Sequence, residues 1–336
     1  MLFKRLAIDL GTANSVVYLQ GKGIVLNEPS VVAISVSDRK VVAVGNEAKE
    51  MLGRTPENIT ASRPMREGVI ADYQVTEAML RYFLQKACGR SFLFRPEVMI
   101  AVPAGCTQVE KRAVEGAALS AGARTIYMIH EPLAAAVGAG IPIAEPSGNM
   151  VIDCGGGASE SAVISLGGVV VAKSVRVGGN KIDDALANYV RKKYGLLIGE
   201  TTAEDVKIKI GSALKVNGDK NKNIELKGRD NISGLPRKVE ITTNEVVEAI
   251  HQPLSQIINM VKSVLEEIPP ELASDIIDKG IVMSGGTSLL SQFDKLLTKE
   301  TGVPCHVIDE PMLAVIKGAG IVLENLETFK RSITRR

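Results

Sequence analysis

The chain of 336 residues has no tryptophan, and its aromatic residues make up only 4%. Its core must therefore be built from aliphatic side chains, and a composition of 45% hydrophobic and 23% charged residues is that of an ordinary α/β globular protein, not of a disordered one. An excess of one charge is also missing. Lys plus Arg number 40 against 38 for Asp plus Glu, so there is no broad field to gather nucleic acid, and none is expected as a partner. Cysteine pairs are missing too: Cys88, Cys106, Cys154 and Cys305 stand far apart at no metal-ligand or redox spacing, and they read as reduced cytosolic thiols. The longest nearly uncharged stretch, around Pro132 to Ala144, is shorter than the roughly 20 residues of a membrane-spanning helix. Met1 to Arg5 runs straight into the strand-like Leu6-Ala7-Ile8 with no signal-peptide core, so the expected location is the cytoplasm.

What is present is a chain too long for one comfortable core, which predicts two domains and a cleft. It also repeats itself. Ala7-Ile8-Asp9-Leu10-Gly11-Thr12-Ala13-Asn14 and Val151-Ile152-Asp153-Cys154-Gly155-Gly156-Gly157-Ala158 both read strand, Asp-x-Gly turn, strand. Glu131-Pro132-Leu133-Ala134-Ala135-Ala136 leading to Gly138-Ala139-Gly140-Ile141 is matched by Glu310-Pro311-Met312-Leu313-Ala314-Val315 leading to Gly318-Ala319-Gly320-Ile321. One such match arises by chance about as often as not; two in the same order point to a duplicated βββαβα domain whose Ala/Gly helices approach closely. Strands are expected at Ser30–Val36, Lys40–Val44, Val98–Val102, Thr125–Ile129 and Ile281–Ser284. Thr107 with Glu110 predicts a capping box, Asn180 and Thr202 are candidate helix caps, and Pro132 and Pro311 suit the first turn of a helix.

The duplicated turns carry the chemistry. Tips at Gly11-Thr12-Ala13-Asn14 and Gly155-Gly156-Gly157 expose consecutive backbone N–H groups, which suit a polyphosphate clamped from two sides. Asp9 and Asp153, each just before its turn, would repel a bare polyphosphate unless Mg²⁺ stood between, although each Asp alone could equally be an Asx-turn residue. A third turn, Ser284-Gly285-Gly286-Thr287, follows an apolar strand and opens a helix, a weak signal by itself.

These motifs resemble the phosphate, connecting-helix and adenosine motifs of the actin, Hsp70 and sugar-kinase superfamily. Asn27-Glu28-Pro29-Ser30, Arg63-Pro64-Met65, Gly68 to Tyr73, Glu145 to Met150, Ile198-Gly199-Glu200 and Gly234 to Arg237 narrow the resemblance to MreB-type bacterial actins, almost end to end. The resemblance implies an actin-like α/β fold of two duplicated RNase H-like domains with small inserted subdomains and a nucleotide cleft between them. Domain I would be 1–145 plus 311–336, with its small subdomain about 33–65; domain II would be 146–310, with its own about 182–245. It further implies ATP and Mg²⁺ as cofactors. Thr12, Ala13 and Asn14 would meet the phosphates beside Gly11, and Gly155, Gly156, Gly157, Ala158, Ser159 and Glu160 would form the second loop. Glu204, Lys207 and Ile208 would flank ribose and adenine, facing Gly285, Gly286, Thr287, Ser288 and Leu289. Asp9 and Asp153 would hold Mg²⁺ through water, and Glu131 would position and polarise the attacking water.

Two departures stand out. Where the family has Gly-Gly-Gly-Thr-Thr-Glu this chain has Gly155-Gly156-Gly157-Ala158-Ser159-Glu160, so a hydroxyl is lost at Ala158 and slow hydrolysis is expected. The family's Glu-Glu-Pro is His130-Glu131-Pro132, with His130 read as a bystander. The resemblance also implies head-to-tail filaments in paired protofilaments, on the inner face of the cell membrane, that maintain rod shape with the membrane proteins of cell-wall elongation. Phe92-Leu93-Phe94, between Arg90 and Arg95, is the expected membrane-inserting tip, where pattern alone would equally allow a turn folded on the core. The rival readings are a sugar or acetate kinase, which would need a second-substrate pocket, and an Hsp70-type ATPase module, which would precede a peptide-binding domain.

Overall fold

The computed structural model describes residues 3–89, 95–330 and 333–335. Two mixed sheets organise the chain. The first is built from β1 (Arg5–Leu10), β2 (Asn14–Leu19), β3 (Gly23–Pro29), β4 (Glu97–Val102) and β5 (Thr125–His130) in the spatial order β3-β2-β1-β4-β5, with the short strand Thr334–Arg335 beside β5. The second uses β6 (Asn149–Cys154), β7 (Ser159–Ser165), β8 (Gly168–Val175), β9 (Ile281–Ser284) and β10 (Cys305–Val307) in the order β8-β7-β6-β9-β10. Each sheet thus begins as an antiparallel meander and continues in parallel from its first strand. The internal repeat read from two short motifs is a repeat of whole sheet topology.

The two halves meet through their repeated Ala/Gly helices, α3 (Glu131–Gly138) and α7 (Ala314–Glu324). These lie between the sheets in one apolar cluster with Ala7, Met99 and Ile129 of the first and Val151 and Ile164 of the second. Close approach explains their composition. A Cβ on Gly138 would collide with the Ala314 carbonyl, and one on Gly318 with the Ala134 carbonyl, so each helix needs glycine where the other's backbone crosses it. The outer faces are covered by α1 (Tyr73–Cys88) and α2 (Gln108–Ala121) on the first sheet, and by α4 (Gly179–Tyr194) and the 25-residue α6 (Thr243–Glu267) on the second. Each half also carries a small three-stranded sheet: Val32–Ser35 between Val41–Val44 and Ile59–Ser62 in one, Asn223–Asp230 between Leu196–Leu197 and Pro236–Thr242 in the other. These are the small lobes of the two halves.

Local expectations met the structure unevenly. The Ile281–Ser284 strand and the Thr107/Glu110 capping box are both present. Asn180 is not a cap: α4 starts from Gly178, because the backbone N–H groups of Gly179 and Asn180 are taken by the carbonyls of Gly155 and Gly156 and need no side-chain acceptor. Thr202 is not one either. The helix Glu200–Ile210, α5, opens at Gly199, whose carbonyl already accepts from Ala203, so Thr202 lies inside the first turn. The segment Phe92-Leu93-Phe94 lies outside the described residues.

Candidate functional site

The ends of β1 and β6 point their hairpin tips at each other across a cleft of about 810 Å³. That is a size suited to a nucleotide-sized ligand. Along the strands Asp9 pairs with Val16 and Asp153 with Glu160, so each tip begins two residues after its Asp. At the first tip Ser30 donates its hydroxyl to the Gly11 carbonyl at 2.5 Å and its backbone N–H to Ala13, which explains the Ser of Asn27-Glu28-Pro29-Ser30. The Gly68 N–H donates to Thr12 Oγ1 at 3.0 Å and Arg63 to the Ala13 carbonyl at 3.4 Å. At the second tip Gly155 and Gly156 accept from the start of α4, and Thr287 Oγ1 donates to the Gly155 carbonyl at 2.8 Å. The tips nearly touch: a Cβ on Gly156 would sit 2.7 Å from the Ala13 Cβ, so only glycine lets the facing backbones approach.

Most of the expected site residues line this cleft together. Asp9, Gly11 to Asn14, Glu131, Asp153, Gly155 to Ala158, Glu204, Lys207, Ile208, Gly285, Gly286, Thr287 and Leu289 all do. Three do not. Ser159 is buried and donates to the Val177 carbonyl at 2.7 Å, Ser288 is buried and donates to the Gly285 carbonyl at 2.6 Å, and Glu160 turns back to accept from the Ala104 N–H at 2.9 Å. Both Ser159 and Glu160 already belong to β7, beyond the tip, and their side chains are taken by these partners. Ile208 and Leu289 are exposed apolar side chains on the cleft wall, 71% and 57% accessible, which suits a flat apolar ring between them. Lys207 reaches Asp183 at 2.8 Å, so its ammonium is committed to the wall and its stem to the cleft. Motif reading missed Lys49, Gly68, Gly179 and Met312, which also line it; each lies in a segment with no phosphate-loop signature.

Negative charge collects at the floor. Burial and then the Asp153 charge push the Asp9 carboxyl up to about 7. Burial raises Asp153 as well, partly offset by the hydroxyl of Ser284, which donates to it. Burial, followed by the charges of Glu160, Asp9 and Asp153, holds Glu131 well above the usual carboxylate range, and burial pushes Glu160 up to about 7. Carboxylates this crowded call for a cation or for protons. Asp9 and Asp153, both on the cleft lining behind the tips, are a donor pair that suits a cation carrying its own water shell. Burial, and then the Lys111 charge, holds the His130 imidazole below its usual range, and its Nδ1 has no hydrogen-bond partner among the described residues.

Residues 3–331 match the family model described as MreB/Mbl protein. The chain belongs to the MreB/Mbl family. It is 51% identical over 332 residues to the cell shape-determining protein MreB of Escherichia coli (strain K12), covering 97% of this chain and 95% of that protein. It is 46% identical over 331 residues to the cell shape-determining protein Mbl of Bacillus subtilis (strain 168), covering 98% and 99%. Among solved structures, MreB5 of Spiroplasma citri bound to AMPPNP superposes with a TM-score of 0.91 at 35% identity, over 98% of each chain. MamK in a double helical filament superposes with a TM-score of 0.77 at 20% identity over 95% of this chain and 99% of that one, which shows a shared fold. The fold is therefore actin-like, and the kinase and chaperone readings are not favoured. No helix among the described residues is long and apolar enough to cross a membrane.

Proposed function

We propose that this MreB/Mbl protein binds Mg²⁺–ATP in the cleft and polymerises head to tail into paired, membrane-associated filaments that maintain rod shape by organising peptidoglycan synthesis with membrane proteins of the elongation machinery. The observation that carries it is the pair of glycine tips facing each other in front of Asp9 and Asp153. The two Spiroplasma citri MreB5 structures, one bound to AMPPNP and one to ADP, support a nucleotide as the ligand of this cleft. The working division is 1–145 plus 311–336 as domain I and 146–310 as domain II, because α3 and α7 lie where such domains would hinge.

In this reading the tips bind polyphosphate through backbone N–H groups, and Ile208 and Leu289 receive the base. Asp9 and Asp153 would hold a Mg²⁺ through its water, and the ion would offset phosphate charge. Glu131, at the start of α3, orients a water and accepts its proton, a role that its raised proton affinity suits. Ala158 supplies no hydroxyl, so turnover is slow. Restoring it with Ala158→Thr should raise phosphate release by up to about tenfold, or roughly 1.4 kcal/mol of barrier. Membrane attachment is assigned to Phe92-Leu93-Phe94 with flanking Arg90 and Arg95, multiplied along a filament.

Sedimentation with and without Mg²⁺–ATP, in the presence and absence of anionic vesicles, tests this. Pelleting that requires Mg²⁺–ATP, with vesicles carried down by wild type and not by a Phe92→Ser, Leu93→Ser, Phe94→Ser variant, is the expected result. Pelleting indifferent to nucleotide would refute it.

A further inference from the structure

Above the cleft, the small lobe of the first half reaches across to α5. Lys49, on the short helix Asn46–Met51, pairs with Glu204 at 3.2 Å, and Arg63, just after the strand Ile59–Ser62, pairs with Glu200 at 2.7 Å. Glu200 and Glu204 stand four residues apart and so share one face of the helix. A third pair, Lys181 with Glu67 at 2.9 Å, ties the start of α4 to the loop beside Gly68. Among the described residues the apolar cluster of this lobe does not reach the second half. The small-lobe cluster of Val31, Ala33, Ala43 and Ala48 contains no residue of the second half, and a crevice of about 320 Å³ opens between Asn46, Glu50, Leu52 and Arg54 on one side and Thr201 on the other. Charge is what spans the gap.

Arg63 differs from the other bridging cations. Its side chain is only 10% exposed, and besides Glu200 it donates to the Ala13 carbonyl in the first phosphate-facing tip. One guanidinium therefore touches both the far lobe and the loop that faces the second tip, which a fork of donors allows and a lysine ammonium does less well. We propose that Arg63–Glu200 and Lys49–Glu204 form an electrostatic latch that holds the cleft shut over its occupant, with Arg63 as the positioning residue that couples the first tip to closure. The latch rests on the reading of the cleft as a nucleotide site. Glu204, by this geometry, serves closure through Lys49. Because these pairs are partly exposed, they are screened by salt, so the rate at which the cleft releases its ligand depends on ionic strength.

The test is the dissociation rate of a fluorescent ATP analogue with Mg²⁺, chased by excess ATP, in wild type and variants across a salt series from about 0.05 to 0.5 M KCl, over which the Debye length falls severalfold. Wild type should release faster as salt rises. Glu200→Gln, on an exposed helix start, should release about three- to fivefold faster at low salt, the size expected of one partly exposed pair, and should show a shallower salt dependence than wild type, with the Lys49–Glu204 pair left to account for the rest. Arg63→Glu and Glu200→Arg should each release faster still, while the double swap should recover slower release than either. A wild-type rate in Glu200→Gln, a flat salt series in wild type, or a double swap no slower than its parents would each overturn the latch. Failure of wild type to bind the analogue at all would instead overturn the nucleotide reading beneath it, so the two failures are distinct.

Discussion

The two glycine tips face one another across the same cleft, yet they are held in place by different means. The second is fixed by backbone: the N–H groups that open α4 reach the carbonyls of Gly155 and Gly156 at 3.1 and 2.8 Å, and Gly155 closes its own turn onto Ala158 at 2.9 Å. The first relies on side chains and strands distant in sequence, namely the Ser30 hydroxyl, the Gly68 N–H onto Thr12, and the Arg63 guanidinium. A backbone-held tip tolerates changes in its neighbours. A tip held by side chains moves with whatever moves them, so the first tip is the one placed to respond to closure of the lobes.

The largest expected effect comes from forcing the tips apart. In Gly156→Val the new Cβ would lie 2.7 Å from the Ala13 Cβ, and Ala13 is fixed through its own carbonyl by Ser30 and Arg63. Overpacking of this kind costs about 1 to 3 kcal/mol, here taken mainly from ligand binding because the tips lie outside the apolar clusters. Titration of a fluorescent ATP analogue should show at least a tenfold loss while the far-ultraviolet circular dichroism stays that of wild type. Retention of wild-type affinity would mean that the tips do not need their contact.

A second contrast lies in the carboxyls behind the tips. Asp9 is raised to about 7 from 3.8 by burial and by Asp153, whereas Asp153 accepts from Ser284 and is correspondingly relieved. A raised carboxyl binds its proton more tightly folded than unfolded, so its contribution to stability is full below pH 3.8 and lost as pH rises towards about 7. Ligand-free protein should therefore melt at lower temperature at pH 8 than at pH 5.5 through this group. Asp9→Asn should raise the pH 8 Tm, relieving a buried unpaired charge worth about 1 to 3 kcal/mol, while it weakens Mg²⁺-dependent nucleotide binding. Asp153→Asn should gain less, because it disturbs the Ser284 bond. Equal gains at the two positions would show that the Ser284 bond does not set them apart.

What could be read from sequence was what repeats or alternates. The paired Asp-x-Gly turns, the glycines of α3 and α7, and the Thr107/Glu110 box each carry a local signal, and each marks a real feature of the fold. What could not be read depends on distant partners. Asn180 carries the composition of a helix cap, and only the carbonyls of Gly155 and Gly156 make that role unnecessary. Glu160 carries the sequence setting of a phosphate loop, and only the fold brings its carboxylate to the Ala104 N–H, a partner 56 residues away. Lys49 carries no motif and Arg63 only one that marks the family, and the meaning of both comes from Glu204 and Glu200 across the cleft.

The smallest expected effect separates the two kinds of support most cleanly. Ser30→Ala removes the hydroxyl that Gly11 accepts and the contact with Ser15 Oγ at 2.8 Å, leaving only the Ser30 N–H on Ala13. Thr287→Val removes one hydroxyl from the Gly155 carbonyl, which still accepts from the Gly179 N–H. A single neutral hydrogen bond contributes about 0.5 to 1.5 kcal/mol, and leaving a buried acceptor without any partner costs more than thinning a shared one. Ser30→Ala also deprives the fully buried Ser15 hydroxyl of that partner, where water cannot replace it, whereas the Gly155 carbonyl keeps the Gly179 N–H. Nucleotide affinity should fall by about three- to tenfold in Ser30→Ala and by less than about threefold in Thr287→Val, a difference within the range of one such bond. Paired titrations at one salt concentration resolve that difference, and the reverse order would mean that the second tip, despite its backbone anchors, is the less secure of the two.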